Sequence, residues 1–474
     1  MLTKQEDGSS NAKLLAQIKT PIRRGTAPAR SRYWRRRLAA FSMLTCSLAF
    51  LPSTLAQEPF SLEPNRSTLE PVRSSTSRSE SIGFRPTSRA SLINLGPFQG
   101  DASVFVGFEY TDNANLNSSS STNSTNSKEA RFQIIEGLDL NLAWVISSLN
   151  RINIRIGAGI AQTLFGPSQS PLYLTLAPDS EIRLQVQVSN LRLQFFDQFS
   201  YVQDPVSQAS TSNSSNLNSF TNIVGVRADW DLNFTIFSLF ADETFNTQSP
   251  SGGNGSTGTN TDGDRNTFRV GSSFTFAFTP TIYYGIEGTA TLTEGVSNTS
   301  TLNTTSTTNG EVKSLNVGPF VRAHLSRLID VDLAAGVSFL DAPDVSPVNY
   351  YVAATIRHLI NRNWQYFLTL NHETTFSSGI DLTEQTYFEL GTQYAITRFI
   401  SLSGGPFYTF GNNPNGALAQ QGKFTQYGAA VHLGWSINKH TSASLGYRYV
   451  RRDSDQPNDS YTQNLINFSI NYAF

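Results

Sequence analysis

Eleven charged side chains in this 474-residue sequence recur at one phase of a two-residue alternation, and that phase limits the chemistry open to them. In an extended segment successive side chains point to opposite faces. Arg151 and Arg155 fall opposite the apolar residues of their segment, and Arg183 and Arg192 do the same in the next two. Counted from the nearest turns, Arg155 and Arg183 are expected at similar heights, with Arg151 and Arg192 lower. Like charges a few ångströms apart repel by about 1 kcal/mol even in bulk water. Such a basic patch needs solvent, acidic partners or an anionic solute. Glu287, Asp332, Glu373 and Glu389 share the same phase further along, with Arg269, Arg322 and Arg448. Two readings stay open. Opposed basic and acidic walls around water would order polar solutes, as charged rings tune pores. Alternatively, the charges pair across neighbouring strands and fill the wall.

Catalytic chemistry finds little support. His324, His358, His372, His432 and His440 are scattered, and no serine sits in a nucleophile elbow. His432, among Gly428, Ala430 and Gly434, reads as an inward residue of a strand. Asp262-Gly263-Asp264 lacks the later ligands of a calcium loop and reads as a turn. Cys46 is the only cysteine, so thiolate metal sites and disulfides are not expected. We expect no metal, no cofactor and no enzyme activity. A net charge of -1 argues against a nucleic-acid partner.

What must position these charges is a set of strands. Ile466, Phe468, Ile470, Tyr472 and Phe474 alternate with Leu465, Asn467, Ser469, Asn471 and Ala473. Ala443–Tyr449, Tyr427–Trp435 and Phe268–Phe278 repeat the pattern. The polar face is small and neutral, and the other carries aromatics over about 10 to 14 residues, a length suited to a tilted membrane strand. Composition agrees. Only 15% of residues are charged and 38% hydrophobic, with 11% aromatic. Ser, Asn, Thr and Gly make up the difference, as water on one face and lipid on the other would require.

Short turns are predicted near Leu149-Asn150, Ser189-Asn190, Trp230-Asp231, Thr279-Pro280, Ser326-Arg327, Asn361-Arg362, Thr397-Arg398 and Asn438-Lys439. Longer polar loops are predicted between them at Asn113–Ser127, Asp204–Ser219, Thr247–Asp264, Asn298–Gly310, Asn412–Lys423 and Asp453–Ser460. Alternating short and long connections, with turns about every 40 residues, fit an all-β transmembrane antiparallel up-and-down barrel. About nine hairpins give about 18 strands. The hairpin at Phe165–Val188, blurred by Pro171 and Pro178, is the weakest; without it the count is 16. Trp144, Trp230, Trp364 and Trp435 each lie within about five residues of a predicted short turn, as a periplasmic aromatic girdle would.

The chain divides into three parts. Residues 1–56 read as a signal peptide with a long n-region: Arg35, Arg36 and Arg37, an apolar stretch to Phe50, and small residues before Gln57. An overextended start site would equally explain its length. Residues 57–99, rich in Ser, Pro and Arg, read as a disordered periplasmic segment, and residues 100–474 as the barrel.

The leader, the long-loop hairpins and the terminal Asn467-Phe468-Ser469-Ile470-Asn471-Tyr472-Ala473-Phe474 resemble bacterial outer-membrane β-barrel proteins, and most nearly the β-barrel porin families. The resemblance covers roughly Asp101–Phe474. It implies a bacterial outer-membrane location, outer-membrane lipid as surroundings, and the barrel-assembly machinery as a partner reading Phe468, Ile470, Tyr472 and Phe474. The expected function is a porin-like channel for passive diffusion of small polar solutes. A barrel anchoring surface loops for adhesion, or serving polysaccharide export, is the alternative. Porin precedent makes a homotrimer one option. The resemblance carries over no catalytic or binding residues.

Overall fold

The computed structural model describes residues 93–114, 128–147, 149–166, 172–203, 217–250, 260–279, 281–301, 304–342, 348–376, 382–415, 422–455 and 460–474. The leader and most of the 57–99 segment lie outside the described residues.

A three-residue strand, β1 (Ile93–Leu95), leads into eighteen long ones. The first group is β2 (Phe98–Thr111), β3 (Arg131–Val145), β4 (Arg151–Phe165), β5 (Leu172–Val188), β6 (Leu191–Gln203) and β7 (Leu217–Asp231). Next come β8 (Thr235–Pro250), β9 (Asn260–Thr279), β10 (Ile282–Thr301), β11 (Thr304–His324), β12 (Ile329–Asp341) and β13 (Val348–Asn361). The last are β14 (Trp364–Phe376), β15 (Leu382–Ala395), β16 (Ile400–Asn415), β17 (Gly422–Ser436), β18 (Thr441–Ser454) and β19 (Tyr461–Ala473). Each pairs antiparallel with its neighbour in sequence, and β19 pairs with β2, from Leu465 opposite Thr111 to Ala473 opposite Ser103. The sheet therefore closes as an 18-stranded barrel, and it contains no helix among the described residues. Closure leaves no sheet edge with unpaired backbone groups, the condition for crossing a bilayer with strands. β1 folds back on β2, with Ile93 opposite Gly100.

Short polar side chains make the tight turns. Ser147 Oγ accepts from the N–H groups of Leu149 and Asn150 (3.3 and 3.1 Å). Thr397 Oγ1 does the same for Phe399 and Ile400 (3.1 and 3.0 Å), and Asn438 Oδ1 for His440 and Thr441 (both 2.8 Å). Ser326, Asn361 and Asp231 each accept one such bond, from Leu328, Asn363 and Asn233. These side chains stand in for a backbone turn partner, the reason Ser, Thr, Asn and Asp mark turns in sequence. Ser189 (φ 56°) and Asn233 (φ 73°) supply the left-handed residues of two of them. All eight predicted short turns fall at strand junctions.

The opposite connections differ from expectation in extent. β10 and β11 stay paired out to Thr301 opposite Thr304, so most of the predicted 298–310 loop is strand. Asp262-Gly263-Asp264 is strand as well, opposite Val296, Ser297 and Asn298, rather than a turn. The hairpin of β4 and β5 is present, which settles the count at 18. Its irregularity has a local cause. Pro178 cannot donate to the ladder, and the β4–β5 register shifts between Arg155 and Ala158. Ser180 Oγ fills the break, accepting from Gly157 N–H (3.1 Å) and donating to its carbonyl (3.4 Å).

Candidate functional site

The inner wall is where the candidate residues gather. In β19, Asn467, Ser469 and Asn471 are buried toward the interior, while Ile466, Phe468, Ile470 and Tyr472 are exposed outside, and the other long strands alternate between the two faces in the same way. All eleven predicted charges share the inner phase. Arg155 stands opposite Glu181, and Asn153 opposite Arg183, so the two arginines are diagonal neighbours on β4 and β5. Arg151 Nε donates to Gln185 Oε1 (2.7 Å), and Arg183 pairs with Glu181. Arg269, Glu287, Glu373 and Arg448 are buried on the wall. Glu389 accepts from Tyr387 OH (2.8 Å). Asp332 is 54% exposed with Arg322 3.9 Å away, so the wall there meets solvent.

The charges are not segregated into a basic and an acidic wall. Acidic residues sit among the arginines. Asp229 accepts from Arg192 Nη2 (2.6 Å) through one oxygen, and from Arg227 Nε (2.8 Å) and Ser238 Oγ (2.7 Å) through the other. Arg269 Nε donates to Asp242 (2.8 Å). Glu109 takes Arg131 (3.2 Å) and Gln133 (2.8 Å), and Gln133 in turn accepts from Tyr173 OH (2.7 Å) across the fully buried Ala161. Asp229, Arg227, Asp242, Glu181, Glu109 and Arg131 were missed from sequence although they share the alternation. Their phase was legible; their partners were not, because pairing depends on register between strands.

A second feature of the wall was hidden in the sequence. Phe105 lies over Gly137, Phe196 over Gly225, Phe240 over Gly271 and Phe320 over Gly285, each ring covering the glycine directly opposite on the paired strand. Tyr351 covers Gly336, Phe367 covers Gly391, Phe407 covers Gly428 and Phe424 covers Gly411 in the same manner. A Cβ on any of these glycines would stand 2.1–2.7 Å from the ring. In the two remaining loop-joined hairpins, Thr175 and Asn467 occupy the place over Gly159 and Gly446. Such cross-strand cover restores the packing a glycine forfeits. Gly428 therefore does not widen the bore as a small inward residue; it seats the Phe407 ring.

The outer face is a belt of exposed apolar side chains, among them Val106, Leu138, Ile160, Phe195, Leu239, Ile286, Val317, Leu370, Val431 and Ile466. A closed barrel wearing such a belt on its outside and polar groups within is built for lipid. The chain is a closed membrane-spanning β-barrel. Trp144, Trp230, Trp364 and Trp435 are all exposed on the belt at the short-turn end, with Trp144 stacked on Phe98 (5.3 Å). A run of stacked rings outside, Phe468, Phe108, Phe132 and Phe165 (6.2, 6.4 and 5.6 Å), was not foreseen. The belt is interrupted at Asp197 on β6, on the outer phase between Phe195 and Phe199, where Asn222 Nδ2 donates to it (2.6 Å). Glu136 on β3, opposite Val106 and Ile160, is a further charge on the outer phase.

The histidines do not converge. His324 contacts Asp330 (2.5 Å) inside, whereas His358 and His372 lie on the outer phase against Tyr366 OH and Thr386 Oγ1. No cluster of metal-ligating residues occurs among the described residues.

No protein-family model and no curated protein matches the sequence. Solved structures do. A BenF-like porin from Pseudomonas fluorescens Pf-5 aligns at 9% identity over 80% of this chain and 100% of its own, with a TM-score of 0.41. Acinetobacter baumannii OccAB3 aligns at 10% over 79% and 99%, with a TM-score of 0.44. The ferric citrate transporter FecA aligns at 11% over 75% of this chain, which spans 60% of that one, with a TM-score of 0.43. At such identities and scores these likenesses carry no argument, and the barrel stands on its own strand pairing.

Proposed function

We propose that the barrel is a porin-like outer-membrane channel for passive diffusion of small polar solutes. One observation carries the reading: a closed 18-stranded sheet whose inner wall bears polar and charged side chains, with aromatic rings seated among them. Barrels of 16–18 strands leave an aqueous bore, whereas eight-stranded ones are filled by side chains. The eleven inner charges are then pore-lining, with Arg151, Arg155, Arg183 and Arg192 tempered by Glu181 and Asp229. The short turns face the periplasm, and Trp144, Trp230, Trp364 and Trp435 form the girdle there. Phe468, Ile470, Tyr472 and Phe474 present the outward pattern read by the barrel-assembly machinery. No catalytic role is part of this reading.

Purified protein in a planar bilayer tests it. A stable conductance is expected, and its absence at every applied voltage would sink the channel. Neutralising Arg155 and Arg183 together leaves Glu181 facing the bore, so the reversal potential should move toward cation preference. An unchanged reversal potential would return both arginines to a structural role. A surface role has one observation in its favour. β9, β10 and β11 run 20, 20 and 21 residues against 13–17 elsewhere, so at the long-loop end they extend the sheet well past the length a bilayer needs.

A further inference from the structure

The short-turn rim is uneven in charge. The four consecutive turns between β11 and β18 each present one exposed cation: Arg327, Arg362, Arg398 and Lys439. The four turns between β3 and β10 present none; the charges flanking them are Arg151, Arg192 and Asp231, all at strand ends. None of the four cations has an ionic partner among the described residues, unlike the arginines of the inner wall. Half of the rim is therefore a cationic arc.

The same turns carry exposed apolar side chains: Leu325 and Leu328 around Arg327, Ile396 and Phe399 around Arg398, and Ile437 before Lys439. Trp364 follows Arg362 by two residues, and Trp435 precedes Ile437 by two; both are exposed on the belt. Amphipathic indoles settle at the boundary between hydrocarbon and headgroups. Apolar turn residues so close to them continue the belt into that boundary, and the cations stand at headgroup depth. The Arg398 guanidinium rests 4.5 Å over the Phe399 ring, which holds its charge against the interface rather than out in bulk water. Consecutive short turns are two strands, about 10 Å, apart along the rim. That spacing is near the Debye length at physiological salt, about 8 Å, so each cation acts on its own neighbourhood.

We propose that this arc binds the headgroups of anionic phospholipids in the leaflet at the short-turn end, giving the barrel one lipid-selective side. Lipid is favoured over a soluble partner because the cations are interleaved with side chains that continue the membrane belt. The inference needs the barrel to sit in a bilayer but not to conduct, so it stands or falls separately from the channel.

The full chain, reconstituted in vesicles of equal phosphatidylcholine and phosphatidylglycerol, would be probed with spin-labelled analogues of each lipid. The readout is the ratio of their motionally restricted fractions. A cation near an anionic surface contributes enough attraction for about a fivefold preference. The phosphatidylglycerol ratio should therefore reach about 5 and fall below about 2 in the R327Q/R362Q/R398Q/K439Q variant. Heat-modifiable migration checks that the variant is folded. If it does not fold, the pairs R327Q/R362Q and R398Q/K439Q should each lower the ratio by about half. The control K313Q/R451Q removes two exposed cations far from the short turns and should leave the ratio unchanged. A wild-type ratio near 1, a ratio that survives neutralising the arc, or a loss caused by the control would each overturn the proposal.

Discussion

Asp229 on the inner wall holds two arginines and a serine hydroxyl with its two oxygens. Removing one partner of a buried pair costs more than the pair contributes, because the remaining charge is left uncompensated. Arg227 is nearly buried, whereas Arg192 is about one-third exposed and partly screened by solvent. Asp229→Asn should therefore destabilise the barrel by about 2–4 kcal/mol, toward the lower part of that range if water reaches both guanidinium groups. The midpoint of urea unfolding in lipid vesicles measures it. Ser180 belongs to the same scale, since its hydroxyl bridges the ladder break beside Pro178. Ser180→Ala leaves the Gly157 N–H buried without a partner and should cost about 1–3 kcal/mol in the same assay.

At the level of the strand pair, the glycines under aromatic rings set a different requirement. Gly391→Ala would put a methyl group 2.1 Å from the Phe367 ring, forcing ring or strand to shift. Overpacking of this kind costs about 1–3 kcal/mol. In a Phe367→Ala background the same change should cost nothing or help, and the double-mutant cycle in thermal unfolding isolates the contact. Strand phases and turn positions were legible in the sequence because both are local: alternation within a strand fixes which side faces lipid, and a Ser, Thr, Asn or Asp side chain closes a turn through its own neighbours. Phe367 and Gly391 lie 24 residues apart, and nothing local aligns them. Their meeting, like that of Arg192 with Asp229, follows from inter-strand register. The mistaken loop at 298–310 has a related cause. Its Ser, Thr and Asn composition reads as irregular, yet pairing across the hairpin holds those residues in strands.

For the barrel as a unit, the balance of inner charge matters more than any single arginine. Acids are spread among the cations rather than gathered opposite them, so the wall offers paired sites of both signs instead of one strong transverse field. Ion preference measured in bilayers should accordingly be modest and depend on salt, strengthening at low ionic strength as screening weakens. A strong preference that resists high salt would contradict this distribution. The glycine seats bear on how a barrel of this size could come about. Each of the nine loop-joined hairpins contains both halves of a seat, the glycine and the side chain opposite that covers it, with His432 and Tyr351 also reaching Gly446 and Gly318 of the following and preceding hairpins. A two-strand unit could be duplicated or lost together with its seat. The circumference is thus adjustable in steps of one hairpin, a modularity written into the wall rather than into the loops.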